Sequence, residues 1–313
     1  TALNTLSLHD ALPIYILGCG SALPTQKHFP TSQVVDLRDK LFMIDCAEGT
    51  QLLVRKQKLK FSRLNHIFIS HLHGDHCFGL IGLLSTFDLL GRTSKLHIYS
   101  PGEDLEKLLR PQIDYFCRGM GYEVVFHAVP HKEVVVIYED RTLTVETIPL
   151  KHRVPCCGYL FREKAPLPHI RKDMMDYLRI PVYAINSIKE GAGWIDDEGR
   201  EWPHEKLVIP SDKARSYAYC SDTIYRPQLA EQLKSVDLLY HEATFVEDAA
   251  KRAKETYHST ARQAASIASS AGVGRLVIGH FSARYDDEQV FLKEAQELFP
   301  NTTLAKDGLK ISI

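Results

Sequence analysis

No CxxC pair occurs in this sequence, no apolar run approaches the ~18 residues of a membrane span, and no internal repeat or low-complexity tract interrupts it. The seven cysteines (19, 46, 77, 117, 156, 157 and 220) are odd in number and scattered, which excludes a disulfide scaffold and fits reduced thiols in the cytoplasm. A charged-then-apolar leader is missing too, so a secreted protein is not expected. Excess charge of either sign is also absent: 38 Lys and Arg face 39 Asp and Glu, a net charge of −1. Nothing global therefore marks a nucleic-acid binder, and any such surface must be local. What is present is an ordinary globular composition, 44% hydrophobic and 25% charged over 313 residues. That makes one large domain or two small ones and excludes global disorder, collagen and coiled coil.

Short apolar runs alternate with longer amphipathic stretches, the pattern of an α/β protein. Strands are expected over 14–17, 40–45, 66–70, 96–99, 143–148, 217–220, 236–240 and 275–279. Helices are expected after 76 and over 225–234, 260–271 and 287–299. Thr260 and Gln263 have capping-box spacing, and Gly272 supplies the stop. The first 13 residues, TALNTLSLHDALP, fit poorly with the rest of the chain and are expected to be a frayed or foreign extension, leaving 14–313 as the folded domain. Residues 163–208 break the rhythm with Pro, Gly and charge; they read as an inserted arm, too short and polar for a core of its own.

The densest chemistry lies in Ser70-His71-Leu72-His73-Gly74-Asp75-His76, directly after the run HIFIS, with three imidazoles and one carboxylate within six residues. A divalent metal compensates such crowding of polar rings. Past a strand end, alternation sends His71 and His73 to one side, while Asp75 and His76 aim at a second position. Nitrogen and carboxylate donors without thiolate suit catalytic Zn²⁺ or a comparable ion. Four residues cannot complete two sites, so further ligands should come from the carboxyl ends of other strands. His152 after LTVETIPL, Asp222 after SYAYC and His280 after RLVIG meet that condition. Asp45 and His241-Glu242 are the remaining polar groups at strand ends, suited to support or catalysis.

With those residues in view, the chain resembles the metallo-β-lactamase fold and, more narrowly, the ribonuclease Z family of tRNA 3′-processing endonucleases. The narrower resemblance rests on GCGSALPT (18–25), IDCAEGTQ (44–51), HLHGDHCFGLIGLL (71–84), CSDT around Asp222, HEATF (241–245), HST (258–260) and HFSARY (280–285). It implies an αββα sandwich with a protruding arm and two Zn²⁺ per subunit, Mn²⁺ or another divalent ion being compatible with the same donors. His71, His73 and His152 would hold one ion, Asp75, His76 and His280 the other, with Asp222 bridging. The implied reaction cuts precursor tRNA next to the discriminator base, leaving a tRNA 3′-hydroxyl and a trailer 5′-phosphate. Asp75 would accept the nucleophile's proton, and Glu242 with His258 would deliver one to the leaving ribose oxygen. His258 as a simple helix-start residue and Glu242 as a buried ion-pair partner are the plainer alternative. A cytoplasmic homodimer, one subunit's arm clamping tRNA for the other, is implied likewise.

Two segments depart from the family pattern. Many bacterial members carry a Lys and an Arg-Asn pair in the loop after Gly-Ser-x-x-Pro; here 24–32 reads PTQKHFPTS, leaving Lys27 and His28 as substrate-gripping candidates. Arg284, four residues past His280, suits either the scissile phosphate or an acidic neighbour. The arm lacks an intact Gly-Pro element at 179–183 and holds six Lys and Arg against four acids over 162–190. A stronger basic run, RKQKLKFSR (55–63), fits either acceptor-stem phosphates or a solvated helix end. The rival reading is another hydrolase of the same fold acting on small substrates, foremost a metal-dependent phosphodiesterase. The missing leader disfavours a lactamase, and the HEAT, HST and SARY segments with the arm disfavour a thioesterase. An RNA-binding module with structural metals is disfavoured because structural zinc sites are closed.

Overall fold

The structure, a computed structural model, describes residues 12–313. The extension expected over 1–13 lies outside them except at its end, where Leu12 is buried and Pro13 opens the first strand. The chain divides into two compact units, one of residues up to 138, 145–161 and 215–313, the other of 139–144 and 162–214. Among the described residues no helix is long and apolar enough to cross a membrane.

Two seven-stranded sheets form the larger unit. In chain order the strands are β1 (Pro13–Gly18), β2 (Ser32–Leu37), β3 (Lys40–Ile44), β4 (Leu64–Phe68), β5 (Leu96–Pro101), β6 (Val124–Val129) and β7 (Val136–Glu139). They continue with β8 (Leu143–Pro149), β9 (Cys157–Glu163), β10 (Ser216–Cys220), β11 (Leu238–Glu242), β12 (Arg275–Gly279), β13 (Thr302–Leu304) and β14 (Lys310–Ser312). The first sheet runs β14-β1-β2-β3-β4-β5-β6, the second β13-β12-β11-β10-β9-β8-β7. Strands β3 to β6 are mutually parallel, and so are β10 to β13, which gathers their carboxyl ends along one edge of each sheet.

The period of two along each strand sorts side chains into layers. In β10, Ala218 and Cys220 join the outer core built with the helices Ala261–Ala271 and Gln289–Gln296. Their neighbours Tyr217 and Tyr219 point the other way, into the space between the sheets, where Tyr219 OH donates to Asp45 at 2.6 Å and Tyr217 OH donates to Gln33. The first sheet mirrors this. Leu41, Met43, Ile67 and Ile98 pack with the helices Thr50–Lys56, Leu80–Leu89 and Asp104–Phe116, while Phe42 and Phe68 turn inward to meet Phe161 and Tyr159. Tyr159 OH reaches the Ile69 carbonyl at 2.6 Å, so these inner phenols avoid the ~1–3 kcal/mol cost of a buried unmade bond.

Helix Ala261–Ala271 has the expected capping box at Thr260 and ends on Gly272 at φ 60°, a left-handed turn that glycine adopts without strain. The helix expected over 225–234 is confined to Leu229–Gln232; Pro227, which offers no backbone N–H, stands just ahead of it. Strands β2 and β6 and the helix Asp104–Phe116 have no counterpart among the expected elements.

The smaller unit contains two short antiparallel pairs, His169–Ile170 with Val208–Ile209 and Trp194–Ile195 with Glu201–Trp202. Contrary to the expectation of an arm without a core, Leu178, Ile180, Ala184, Ile188 and Leu207 are buried together under Trp194 and Trp202.

Candidate metal centre and cleft

Every candidate ligand stands just past the carboxyl end of a strand, where side chains of parallel neighbours converge. His71 to His76 come after β4, His152 after β8, Asp222 after β10 and His280 after β12, with His73 at the start of the short helix Gly74–Cys77. His280 has φ 63°, and its N–H donates to the Cys19 carbonyl at 2.8 Å, which fixes it beside the turn after β1.

Four imidazoles are oriented through Nδ1 so that Nε2 faces inward. His71 Nδ1 lies 3.0 Å from Ser70 Oγ, His76 Nδ1 2.7 Å from Asp45 Oδ2, His152 Nδ1 2.9 Å from the Tyr257 carbonyl and His280 Nδ1 2.9 Å from Thr244 Oγ1. His73 presents Nδ1 instead, 3.0 Å from His71 Nε2 and 3.2 Å from His152 Nε2. Asp222 sits between two sets. Its Oδ2 is 3.6 and 3.8 Å from Nε2 of His71 and His152; its Oδ1 is 3.6 and 3.3 Å from Nε2 of His76 and His280. Asp75 Oδ2 completes the second set, 3.4 Å from His76 Nε2 and 3.3 Å from His280 Nε2. The donor atoms of each group lie within 4.8 Å of one another.

These residues fit divalent cations. Tetrahedral bonds of ~2.0–2.1 Å to nitrogen and oxygen place donors about 3.4 Å apart, inside the 3.0–3.8 Å range found here. His76 Nε2 and Asp222 Oδ1 are buried without a hydrogen-bond partner, which a cation would remedy. Burial holds His71, His73 and His152 below the ordinary imidazole range, in the neutral form that ligates. Burial also acts to lower His76, but Asp45, Asp222 and Asp75 outweigh it and raise this group. Fully buried Asp45 is the anchor: it also accepts from Ser70 N–H at 2.7 Å and from the Ser70 hydroxyl at 2.9 Å.

Beside the metal groups lies a carboxylate–imidazole pair. Glu242 is fully buried; its Oε1 accepts from the N–H of Thr223 and Ser259 and lies 3.1 Å from His258 Nδ1. Its Oε2 takes the Thr244 N–H and hydroxyl. Burial alone would lower His258, but Glu242 and Asp222 carry it up to about 9, leaving the ring charged at neutral pH with Nδ1 engaged. His258, together with ligands from both metal groups, borders a cleft of about 630 Å³ that also receives Arg153, Arg252 and Arg284. Arg284 is a candidate from the sequence; Arg153 gives no signal there except its place after His152, and Arg252, on the helix Ala250–Thr256, gives none.

Lys27 and His28 line a separate recess of about 530 Å³. Lys27 Nζ donates to the Asp286 carbonyl at 2.6 Å. His28 is clasped, with Nε2 2.7 Å from Glu288 and Nδ1 3.2 Å from Asp307 and 3.4 Å from Cys19 Sγ. Neither ring nitrogen is left for a ligand, and the bonds to Asp307, Cys19 and Glu288 push His28 up to about 12. Asp307 also accepts the Phe29 N–H at 2.7 Å, so this cluster fastens the 24–31 loop. The sequence offers His28 as a gripping residue; its surroundings make it a fastening.

A family profile described as anti-Pycsar protein Apyc1 matches residues 12–166. The chain is 62% identical over 304 residues to the ribonuclease Z of Bacteroides fragilis, covering 97% of this chain and 100% of that one. It is 50% identical over 303 residues to the ribonuclease Z of Porphyromonas gingivalis, covering 97% and 99%. Among solved structures, human tRNase Z, short form, superposes with a TM-score of 0.71 at 25% identity, over 96% of this chain and 99% of that one. A metallo-β-lactamase fold protein from Bacillus subtilis gives a TM-score of 0.68 at 18% identity, over 97% and 100%, and speaks to the fold alone. The two helix-covered sheets are accordingly an αββα sandwich of the metallo-β-lactamase type.

Proposed function

The chain belongs to the ribonuclease Z family, and from that premise we propose that it is the endoribonuclease that removes the 3′ trailer of precursor tRNA next to the discriminator base. The observation that carries the reading is Asp222, whose two carboxylate oxygens face two separate nitrogen sets. On this reading His71, His73, His152 and Asp222 hold one Zn²⁺, and Asp75, His76, His280 and Asp222 hold a second; Mn²⁺ suits the same donors. Bound there, the ions supply Lewis-acid activation of water and neutralise charge on the scissile phosphate. The rest falls to the chain's own groups. Arg153, Arg252 and Arg284 bring guanidinium charge to the phosphates entering the cleft. The Asp75 carboxylate takes up the proton released by the attacking water. His258, held at Nδ1 by Glu242, gives its Nε2 proton to the departing ribose 3′-oxygen. The products are a tRNA 3′-hydroxyl and a trailer 5′-phosphate.

The smaller unit is the proposed tRNA-gripping arm of a cytoplasmic homodimer, one subunit's arm serving the other's cleft. Its charge supports little of the grip, since Arg171 pairs with Asp173 and Arg200 with Asp196 and Glu198. Exposed Tyr177 and Tyr183 offer stacking surface instead. Cleavage of an end-labelled, 3′-extended precursor tRNA, with and without chelator, tests the reading. A chelator-sensitive cut next to the discriminator base, leaving a 3′-hydroxyl, is expected. Intact RNA alongside hydrolysis of a small phosphodiester would remove the tRNA role and favour the small-substrate phosphodiesterase.

A further inference from the structure

A second recess, of about 760 Å³, shares His152 and Arg153 with the active-site cleft. Residues 149–156 after β8, residues 224–228 after β10 and the His131-Lys132 pair form its walls. Lys132, Lys151, Arg153 and Arg226 line it, and no Asp or Glu does. In a chain of net charge −1 that is a marked local excess. The charges are also uncompensated. Among the described residues Lys132 and Lys151 make no ion pair, Arg153 reaches only the Glu255 carbonyl at 3.4 Å, and Arg226 Nη1 takes the Pro149 carbonyl at 2.9 Å. Carbonyl contacts orient a guanidinium without neutralising it. Four like charges around one recess repel one another, and a polyanion is the ligand that turns the repulsion into binding.

We infer that this recess carries the phosphate backbone of the single-stranded trailer, on the 3′ side of the cut. The inference rests on the reading of the cleft given under the proposed function. Arg153 is common to both cavities, so a strand leaving the cleft meets the next phosphate-binding groups without a gap. Ile224 and Tyr225 supply apolar and aromatic surface between the cations, the combination that accepts unpaired bases regardless of sequence.

The double variant Lys132→Gln/Lys151→Gln tests this without touching any residue placed in the cleft. Cleavage is measured on two precursor tRNAs that differ only in trailer length, one nucleotide against about fifteen. On the long trailer the variant raises KM about tenfold and flattens the slope of log affinity against log salt by roughly 1.4, or about 0.7 for each single-strand phosphate that no longer meets a lysine. On the one-nucleotide trailer KM stays at the wild-type value. An equal rise for both lengths would overturn the trailer assignment and give the recess to the acceptor stem; no change on either would overturn RNA binding there. Wild-type protein that cut neither RNA yet hydrolysed bis(p-nitrophenyl) phosphate would instead overturn the tRNA function, which keeps the two failures apart.

Discussion

Replacing Asp45 by Asn asks whether the inner geometry depends on a carboxylate. Asp45 receives four donors: Ser70 N–H on Oδ1, and the Ser70 hydroxyl, the Tyr219 hydroxyl and His76 Nδ1 on Oδ2. An amide has one acceptor and one donor end. With its oxygen at the Oδ2 position the NH₂ meets the Ser70 N–H, donor against donor; reversed, it meets Tyr219 and His76. Either way at least one buried donor loses its acceptor, at ~1–3 kcal/mol. The backbone adds no penalty, since φ is 55° and Asn accepts the left-handed region. The larger effect falls on metal. A carboxylate behind a ligating imidazole is worth about 10- to 100-fold in affinity, and here it serves His76 alone. D45N should therefore melt a few degrees lower as apoprotein and bind the Zn²⁺ that His76 would hold about 10–100-fold less tightly. Thermal unfolding and Zn²⁺ titration against a chromophoric chelator measure the two effects separately. A lowered melting temperature with unchanged chelator competition would refute the orienting role and leave Asp45 a packing residue.

Asp222→Ala removes an oxygen from both groups, so metal analysis after dialysis should find both ions lost together; retention of one would break the bridging assignment. His258→Ala should keep its metal content and cut precursor tRNA about 10²–10⁴-fold more slowly, the usual worth of a general acid, and an unchanged rate would take His258 out of the reaction. Deleting 165–205 should abolish precursor-tRNA cleavage and spare hydrolysis of a small phosphodiester; persistence of both would deny the arm its role. For His28→Gln the sign comes from the raised value of about 12. The charged clasp stabilises fully below the ordinary value of about 6.5 and loses that contribution as pH rises toward the folded value. The melting-temperature gap between wild type and variant should thus narrow from about pH 6 to about pH 9, and a gap that widened would show the ring to be neutral.

How far the sequence can be read in advance depends on the range of the forces involved. Strand β12 is found over the residues expected of it, and the helix after Thr260 differs only at its cap, because alternation and capping are local. The seven ligand candidates can be named from HLHGDH plus strand-end position, and the structure brings them into two groups sharing Asp222. Arg153 and Arg252 cannot, since a guanidinium on a loop or a helix acquires meaning only through what it faces. His28 illustrates the opposite error. Its place in the loop suggests a substrate contact, but Glu288 and Asp307, distant in sequence, occupy both its nitrogens. Strand β2 escapes notice because it is nearly buried throughout and lacks alternation.

The clasp on His28 joins residues 279 positions apart, and β14 completes the first sheet by pairing back onto β1. A chain emerging from the ribosome can lay down β2 to β6 and their helices early. It cannot fasten the 24–31 loop until Asp307 has been made, or close the edge beside β1 until Ser312 has. His280, tied to the Cys19 carbonyl, likewise follows its partner by 261 positions. A product that stops before residue 280 therefore carries the first group of ligands without the imidazole that completes the second.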